Sequence, residues 1–334
     1  MTIQWGILGC GGIARKFANG LRCVDTAKLV AVASQSASGK AESFAKELKE
    51  AHGKVSAHEN YASLLADSQI DAVYVANTHN FHHETVLQAL AAGKHVLCEK
   101  PLTVNAWQTR ECIDASRKAN RFLMEAMWTR FLPACEQLRN WIAEERIGEV
   151  QHIYAGFGFP GSWPNDGRML NRDLAGGCML DMGIYPLSFA SMVAGGVAPE
   201  TTSGRIILGE TGVDIDGTYL LQYPDQVTAI CQSTFSVNIN NEARVVGTKG
   251  SITLPATFIG ANEVRLRTEK EDIALRYPDT GQNGFQYEIA HACQCIADAV
   301  FDSPVMPQAE TLILAETMDA LRSQCGLRYP ADEL

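Results

Sequence analysis

Several features that would place this chain in a specialised class are missing from it. Ten cysteines stand at positions 10, 23, 98, 112, 135, 178, 231, 293, 295 and 325, yet no two form a C-x-x-C pair. That removes the common zinc and thioredoxin-like signatures. Several sit in apolar runs such as Val96-Leu97-Cys98, where a thiol behaves as a small hydrophobe. No apolar stretch approaches the roughly 18 residues a bilayer span requires. Met1–Gly6 shows neither the basic region nor the apolar run of a signal peptide. Repeats and low-complexity runs are absent as well. Positive charge is scarce: 28 Lys and Arg against 38 Asp and Glu leave a formal charge of −10. Such a surface repels phosphate backbones and anionic lipid, so neither nucleic acid nor membrane is an expected partner. These absences imply a reduced, cytoplasmic, globular protein. With 334 residues and 46% hydrophobic content, two domains and a large core need no staples.

What is present begins as a rhythm. Apolar runs at Trp5–Leu8, Leu29–Ala33, Ala72–Ala76, His95–Cys98 and Phe122–Met124 are short. The first four lead through a turn into helix-period sequence, as in Ala41-Phe44-Ala45-Leu48 and Val86-Leu87-Leu90. Strands alternating with helices at this spacing predict an α/β fold with a parallel sheet.

The first junction reads Gly9-Cys10-Gly11-Gly12-Ile13-Ala14, a G-x-G-x-x-A run that follows a strand and opens a helix. This is the context of a dinucleotide fingerprint. Gly9 makes the tight turn, Gly11 lets a pyrophosphate approach the backbone, and Ala14 permits close helix–strand packing. Gly12 and Ile13 lie at the helix N-terminus, where free N–H groups and the dipole favour an anion. About twenty residues on, an NAD site usually carries an acid for the ribose 2′-hydroxyl. Here the strand ends Ser34-Gln35-Ser36, with Lys40 following. Small hydroxyls and a lysine favour a 2′-phosphate, so NADP is expected ahead of NAD.

Two further segments carry chemistry. The fourth apolar run leads straight into Glu99-Lys100-Pro101, at the carboxyl end of a strand, where open parallel sheets bind ligands. Further on, Gly176-Gly177-Cys178-Met179-Leu180-Asp181-Met182-Gly183-Ile184-Tyr185 sets Asp181 and Tyr185 four apart, on one face if helical. The two glycines would let a cofactor come close, and Pro186 predicts a kink or a restart of the helix. His79, His82, His83 and Glu84 crowd one loop, but no second ligand cluster accompanies them. His291, Cys293 and Cys295 sit where residues two apart diverge on a helix. No metal site is expected.

Taken together these segments resemble the glucose–fructose oxidoreductase and inositol dehydrogenase (Gfo/Idh/MocA) family. The resemblance rests on Gly9-x-Gly11-x-x-Ala14, on Ala92–Pro101, on Leu123–Phe131, on Gly176-Gly177-x-x-x-Asp181-x-Gly183-x-Tyr185 and on Gly284–Glu288. Tyrosine at 185 and the run Trp128-Thr129-Arg130-Phe131 look most like the dihydrodiol dehydrogenase branch, which oxidises trans-dihydrodiols and D-xylose with NADP. The resemblance implies a Rossmann domain over residues 1–125. A substrate-binding and dimerisation domain over 126–334 follows, with an open, mainly antiparallel sheet. Strand-like stretches at 151–157, 217–223, 227–235, 243–247, 251–254 and 263–268 agree, as do helices near 285–301 and 309–325. It also implies pairing of these sheets in a homodimer.

By the same resemblance Lys100 and Tyr185 are the catalytic pair, with Asp181 orienting Lys100 or binding a second hydroxyl. His79, His82 and Glu99 fall beside the nicotinamide. Gln35 stands where the family often has an arginine, and Asn77-Thr78-His79 departs from the usual Thr-Pro-Asn. Trp128, Phe157, Trp163, Phe258 and Phe285 fall in pocket-forming regions, with hydrophobic core as the alternative, and Arg130 would hydrogen-bond a substrate hydroxyl or else pair with a carboxylate. The expected reaction is hydride transfer between a ring CH–OH of a sugar, polyol or trans-dihydrodiol and the nicotinamide. Oxidation needs a base: bringing a phenol from about 10 to about 7 takes roughly 4 kcal/mol from nearby positive charge. Redox-assisted glycosidic elimination with tightly held NAD, or a non-catalytic NADP sensor, would use the same motifs.

Overall fold

Runs such as Trp5–Leu8 and Ala72–Ala76 present apolar side chains in both strand directions, which suits a sheet covered on both faces. In the computed structural model, which describes residues 1–35, 38–278 and 283–333, they are strands. The first sheet is built from β1 (Ile3–Leu8), β2 (Ala27–Ala33), β3 (Ser56–His58), β4 (Ala72–Val75), β5 (His95–Glu99) and β6 (Leu123–Ala126). Its order is β3-β2-β1-β4-β5-β6, with every neighbouring pair parallel. This is the doubly wound dinucleotide order, which reverses direction between β1 and β4. The helices between strands are α1 (Gly12–Leu21), α2 (Lys40–His52), α3 (Tyr61–Leu65), α4 (His82–Ala91) and α5 (Ala106–Ala119). All four residues of β4 are buried. Edge strand β3 escapes a reading of apolar runs, because Ser56-Ala57-His58 has none; it is recruited by pairing with Ala31–Ala33.

Two units divide the chain. The first takes in Met1–Thr103, Trp107–Trp128 and a late segment that contains α8 (Phe285–Ala297) and ends at Gln308. Where the sequence suggested one boundary at residue 125, the chain therefore returns to the first unit near its end. The reason is packing. The Gly20 backbone of α1 lies so close to α8 that a Cβ there would meet Phe285 Cβ at 2.8 Å. Trp5 Nε1 donates to Cys293 Sγ at 3.4 Å.

The second unit holds α6 (Pro133–Ala143), β7 (Val150–Gly158), α7 (Ile184–Val193), β8 (Thr201–Leu208), β9 (Asp214–Gln222) and β10 (Thr228–Thr234). It continues with β11 (Ala243–Gly247), β12 (Gly250–Leu254), β13 (Glu263–Thr268), β14 (Asp272–Arg276) and most of α9 (Gln308–Gln324). Sheet order is β14-β13-β12-β11-β7-β10-β9-β8, antiparallel except for the β7–β10 pair. The mainly antiparallel expectation is met. Strand β9 alternates buried Tyr219 and Leu221 with exposed Leu220 and Gln222, so the two faces of the sheet differ. Pro186 does interrupt a helix: a π turn at Met179–Gly183 precedes α7, which restarts at Ile184 and leaves the proline in its first turn.

A buried ion pair ties the core of the second unit together. Arg130, 2% exposed, donates to Glu310 Oε1 at 2.6 Å, to Ser188 O at 2.8 Å and to Ser188 Oγ at 3.0 Å. Ser191 Oγ donates to the same Glu310 oxygen at 2.7 Å. Removing one member strands a desolvated charge. Arg130→Ala is expected to lower stability by about 3–5 kcal/mol in urea unfolding, whereas a side chain serving only substrate would leave the midpoint in place.

Candidate functional site

The turn after β1 is shaped by steric demand. Gly9 has φ +109°, and a Cβ there would lie 2.6 Å from the Ala76 carbonyl oxygen. Its N–H donates to Ala33 O at 2.9 Å, which ties the turn after β1 to the end of β2. Gly11 and Gly12 differ: a Cβ on either would meet no atom of the described residues within 4 Å. Helix α1 has no capping side chain and no acid in its first turn. Its first N–H groups therefore lack a side-chain cap and its positive end a neighbouring first-turn acid, which suits a pyrophosphate. Ala14 is fully buried, in the tight-packing role expected of it, and Ile13 is half-buried. The residues fit a dinucleotide.

At the end of β2, Ser34 is buried and Gln35 exposed, while Ser36 lies outside the described residues. Lys40 opens α2 after Gly39, and its positive charge is felt at the Cys10 thiol. Burial still pushes that thiol up to about 11. The lysine thus lies near the glycine turn.

A polar array is built around the end of β5. Glu99 is 5% exposed; Tyr74 Oη donates to its Oε1, and the Lys100 N–H donates to its Oε2 at 3.2 Å. Burial and the Glu99 charge push the Tyr74 phenol well up. Lys100 itself is 8% exposed, and its peptide bond to Pro101 is cis. His82 has no exposed surface; its Nδ1 lies 2.8 Å from Pro101 O and its Nε2 3.2 Å from Asn77 O. It pins the loop after β4 to the loop after β5. His79 packs edge-on against it, with ring centroids 5.6 Å apart. Leu102 N–H donates to Glu125 Oε1 at 2.8 Å. Glu288 on α8 is fully buried, and burial beside the Glu99 charge holds it well above the usual carboxylate range. Tyr74, Glu125 and Glu288 were not singled out from sequence; Glu125 and Glu288 do stand within the quoted motifs, as acids in apolar runs.

In the second unit Tyr185 lies in the first turn of α7, 9% exposed, with the Phe157 ring edge-on at 5.6 Å. Phe159 packs on Phe157 at 5.8 Å and on Trp163 at 6.2 Å, and Trp163 on Phe235 at 4.6 Å. These rings form a continuous aromatic wall beginning at Tyr185; Phe159 and Phe235 are the members not anticipated. Asp181 accepts from Arg168 Nη1 at 2.9 Å. The Gly176-Gly177 pair does not serve cofactor approach, as the sequence suggested. A Cβ at Gly176 would strike three backbone carbonyls, the nearest Arg168 O at 2.6 Å, and one at Gly177 would strike Asp214 Oδ1 at 2.3 Å. The space is filled by the unit's own atoms.

The remaining candidates make contacts of their own. Trp128 stacks on Phe285 at 5.3 Å in the first unit, where Phe285 is 2% exposed. Phe258 packs against Phe189 at 5.8 Å. Arg130 is committed to Glu310 and Ser188, as described. Among the described residues no group of three or more His, Cys, Asp or Glu is placed to hold a metal ion.

Comparison with known proteins gives this geometry a family. Residues 3–127 match the GFO_IDH_MocA model, described as an oxidoreductase family with an NAD-binding Rossmann fold, and residues 135–253 match the GFO/IDH/MocA C-terminal domain. The chain belongs to the GFO/IDH/MocA oxidoreductase family. It is 36% identical over 338 residues to the trans-1,2-dihydrobenzene-1,2-diol dehydrogenase of Xenopus laevis, covering 99% of this chain and 100% of that protein. The Homo sapiens protein of the same name is 36% identical over 340 residues, with both chains fully covered. A 3-ketoreductase from Actinomadura kijaniata, solved with NADP and TDP-benzene, superposes with a TM-score of 0.83 at 26% identity, covering 97% of this chain and 98% of that one. This member of the family is therefore an NAD(P)-dependent oxidoreductase.

The two kinds of glycine separate experimentally. Gly9→Ala, with positive φ and a backbone clash, is expected to cost about 1–3 kcal/mol of stability in thermal or urea unfolding. Gly11→Ala, whose Cβ would meet no described atom within 4 Å, is expected to leave stability unchanged and weaken dinucleotide binding in a fluorescence titration. Weakened folding in the second variant would contradict this assignment.

Proposed function

We propose that this enzyme interconverts a ring CH–OH and the corresponding ketone with NADP in preference to NAD, acting in the cytoplasm as a homodimer. The substrate class is a trans-dihydrodiol, sugar or polyol. The observation that carries this reading is the pairing of an anion-ready glycine turn with end-to-end likeness to proteins named dihydrodiol dehydrogenases. When bound, the nicotinamide supplies the hydride acceptor or donor. Lys40, at the start of α2, is the group that would favour the 2′-phosphate.

The protein's task is the proton. Tyr185 is assigned as the acid–base that takes the hydroxyl proton on oxidation and returns it on reduction, and Lys100 as the cationic catalytic residue. Asp181 is assigned to orientation, with Arg168 holding its carboxylate. The aromatic wall running from Tyr185 through Phe157, Phe159 and Trp163 suits a ring substrate that buries apolar edges and presents hydroxyls. A lysine and a tyrosine are also the residue types exchanged in solved variants of the 3-ketoreductase.

Assembly through the second sheet is supported by its exposed face. Tyr154, Ile230 and Leu220 are directly opposite one another on β7, β10 and β9, and are 41%, 38% and 43% exposed. Three large apolar side chains in one row are a feature of association surfaces. The cytoplasmic assignment is supported by ten free cysteines, eight of them buried. No helix among the described residues is long and apolar enough to cross a membrane.

Reduction of NADP and NAD followed at 340 nm across trans-dihydrodiols, aldoses and inositols tests the reaction. Tyr185→Phe is expected to lower turnover at least about a hundredfold, within the range of general acid–base catalysis, with dinucleotide affinity unchanged. An equal loss of dinucleotide affinity would instead make the tyrosine structural. For assembly, Ile230→Glu is expected to halve the mass measured by light scattering; a wild-type chain that already runs as a monomer refutes the dimer.

A further inference from the structure

The segment that carries Asp181 and Tyr185 starts on a carboxyl group to which the proposed chemistry gives no part. Asp214, the first residue of β9, has no exposed surface. Its Oδ2 accepts the Met179 N–H at 2.6 Å, while its Oδ1 has no hydrogen-bond partner among the described residues. Met179 begins the π turn, so this bond occupies one of the N–H groups that a helical start leaves unpaired. Gly177, with φ +120°, brings the backbone directly against the same carboxyl. Tyr329 Oη, which also borders Gly177, donates to Gly176 O at 2.7 Å. The start of the catalytic segment is thereby clamped at successive residues.

Several ionisable groups face Asp214. They are Arg322 on α9, Asp216 and Tyr219 on β9, Cys178 just before the π turn, and Tyr329. Arg322 is the cation of the set, and its guanidinium is already bonded to Asp332 at 2.7 Å and to Asp319. Its charge is largely spent on those two carboxylates. Burial consequently dominates and pushes Asp214 up to about 7, against the opposing pull of the Met179 N–H, its own N–H and Arg322.

We propose that Asp214 is a positioning residue for the Met179–Tyr185 segment, holding it firmly as the carboxylate and loosening it on taking up a proton. The inference rests on the assignment of Tyr185 as acid–base and adds a pH-dependent support beneath it. A charged acceptor makes a shorter and roughly twofold stronger hydrogen bond than a neutral one. Order in the segment and turnover therefore rise together as pH climbs through the neutral range. Global stability moves the opposite way. The folded acid keeps its proton to a higher pH than the unfolded one, near 3.9. Its stabilising contribution is complete below the unfolded value and is lost as pH rises through about 7.

Amide hydrogen exchange resolved by NMR, corrected for intrinsic rates and measured from about pH 5 to about 9, reads the clamp directly. In the wild type, Met179 protection is expected to rise about tenfold along a one-proton curve centred near 7, with kcat following it and the KM for cofactor unmoved. Asp214→Asn, which keeps an acceptor but cannot titrate, is expected to flatten the Met179 protection curve and to leave kcat only the pH dependence that Tyr185 itself supplies. Flat protection in the wild type, or an unchanged midpoint in Asp214→Asn, overturns the proposal. Should the variant fail to fold, the wild-type protection curve decides. Titrating protection without turnover on any substrate sinks the assigned reaction and leaves Asp214 in its role; normal turnover with flat protection does the reverse.

Discussion

A carboxylate taken out of water must find donors or take up a proton, and both units are organised around acids that face that choice. In the first unit Glu99 is held by the Tyr74 hydroxyl and the Lys100 N–H, which fixes the backbone at the end of β5. Glu125 does the same for Leu102 one strand along. In the second unit Glu310 gathers Arg130 and Ser191, and Asp214 gathers the start of the π turn. None of these acids is on the outside of the protein. Each trades the favourable solvation of a charge for a fixed position of the chain around it, and the catalytic candidates lie next in sequence or within one turn.

Much of this was legible before any coordinates. Alternating apolar runs with turns gave the parallel sheet, because strands buried on both faces need such runs. The glycine turn was readable because its context, a strand before and a helix after, is itself a sequence pattern. The pair Lys100 and Tyr185 could be named only through likeness to a family. What stayed hidden was the set of supports. Glu288 and Asp214 are single acids whose significance lies in being enclosed, and enclosure by α8 or by the Gly177 turn is a long-range fact. Strands β3, β8 and β14 were missed for a related reason: at the edges of their sheets they carry few buried side chains, so no apolar rhythm marks them.

Glycine motifs also turned out to hold two different meanings. At Gly11 and Gly12 an added side chain would meet no described atom within 4 Å, as the proposed dinucleotide contact requires. At Gly176 and Gly177 the missing side chain leaves space for protein alone, three carbonyls and an aspartate. The letter is the same, and only the surrounding atoms separate a binding element from a packing one. An Arg-Phe pair such as Arg130-Phe131 teaches the same lesson, since a guanidinium in a suggestive motif is here consumed by an interior acid.

The return of α8 to the first unit has a consequence for how the protein is made. A nascent chain that has produced all six strands of the parallel sheet, by residue 126, still lacks the helix that covers α1 and supplies Cys293 to the Trp5 indole. More than a hundred and fifty residues must leave the ribosome before Phe285 arrives. The dinucleotide-binding unit, although encoded first, is thus among the last parts of the molecule to be finished. Its helical layer is completed only when the whole second sheet has already been synthesised.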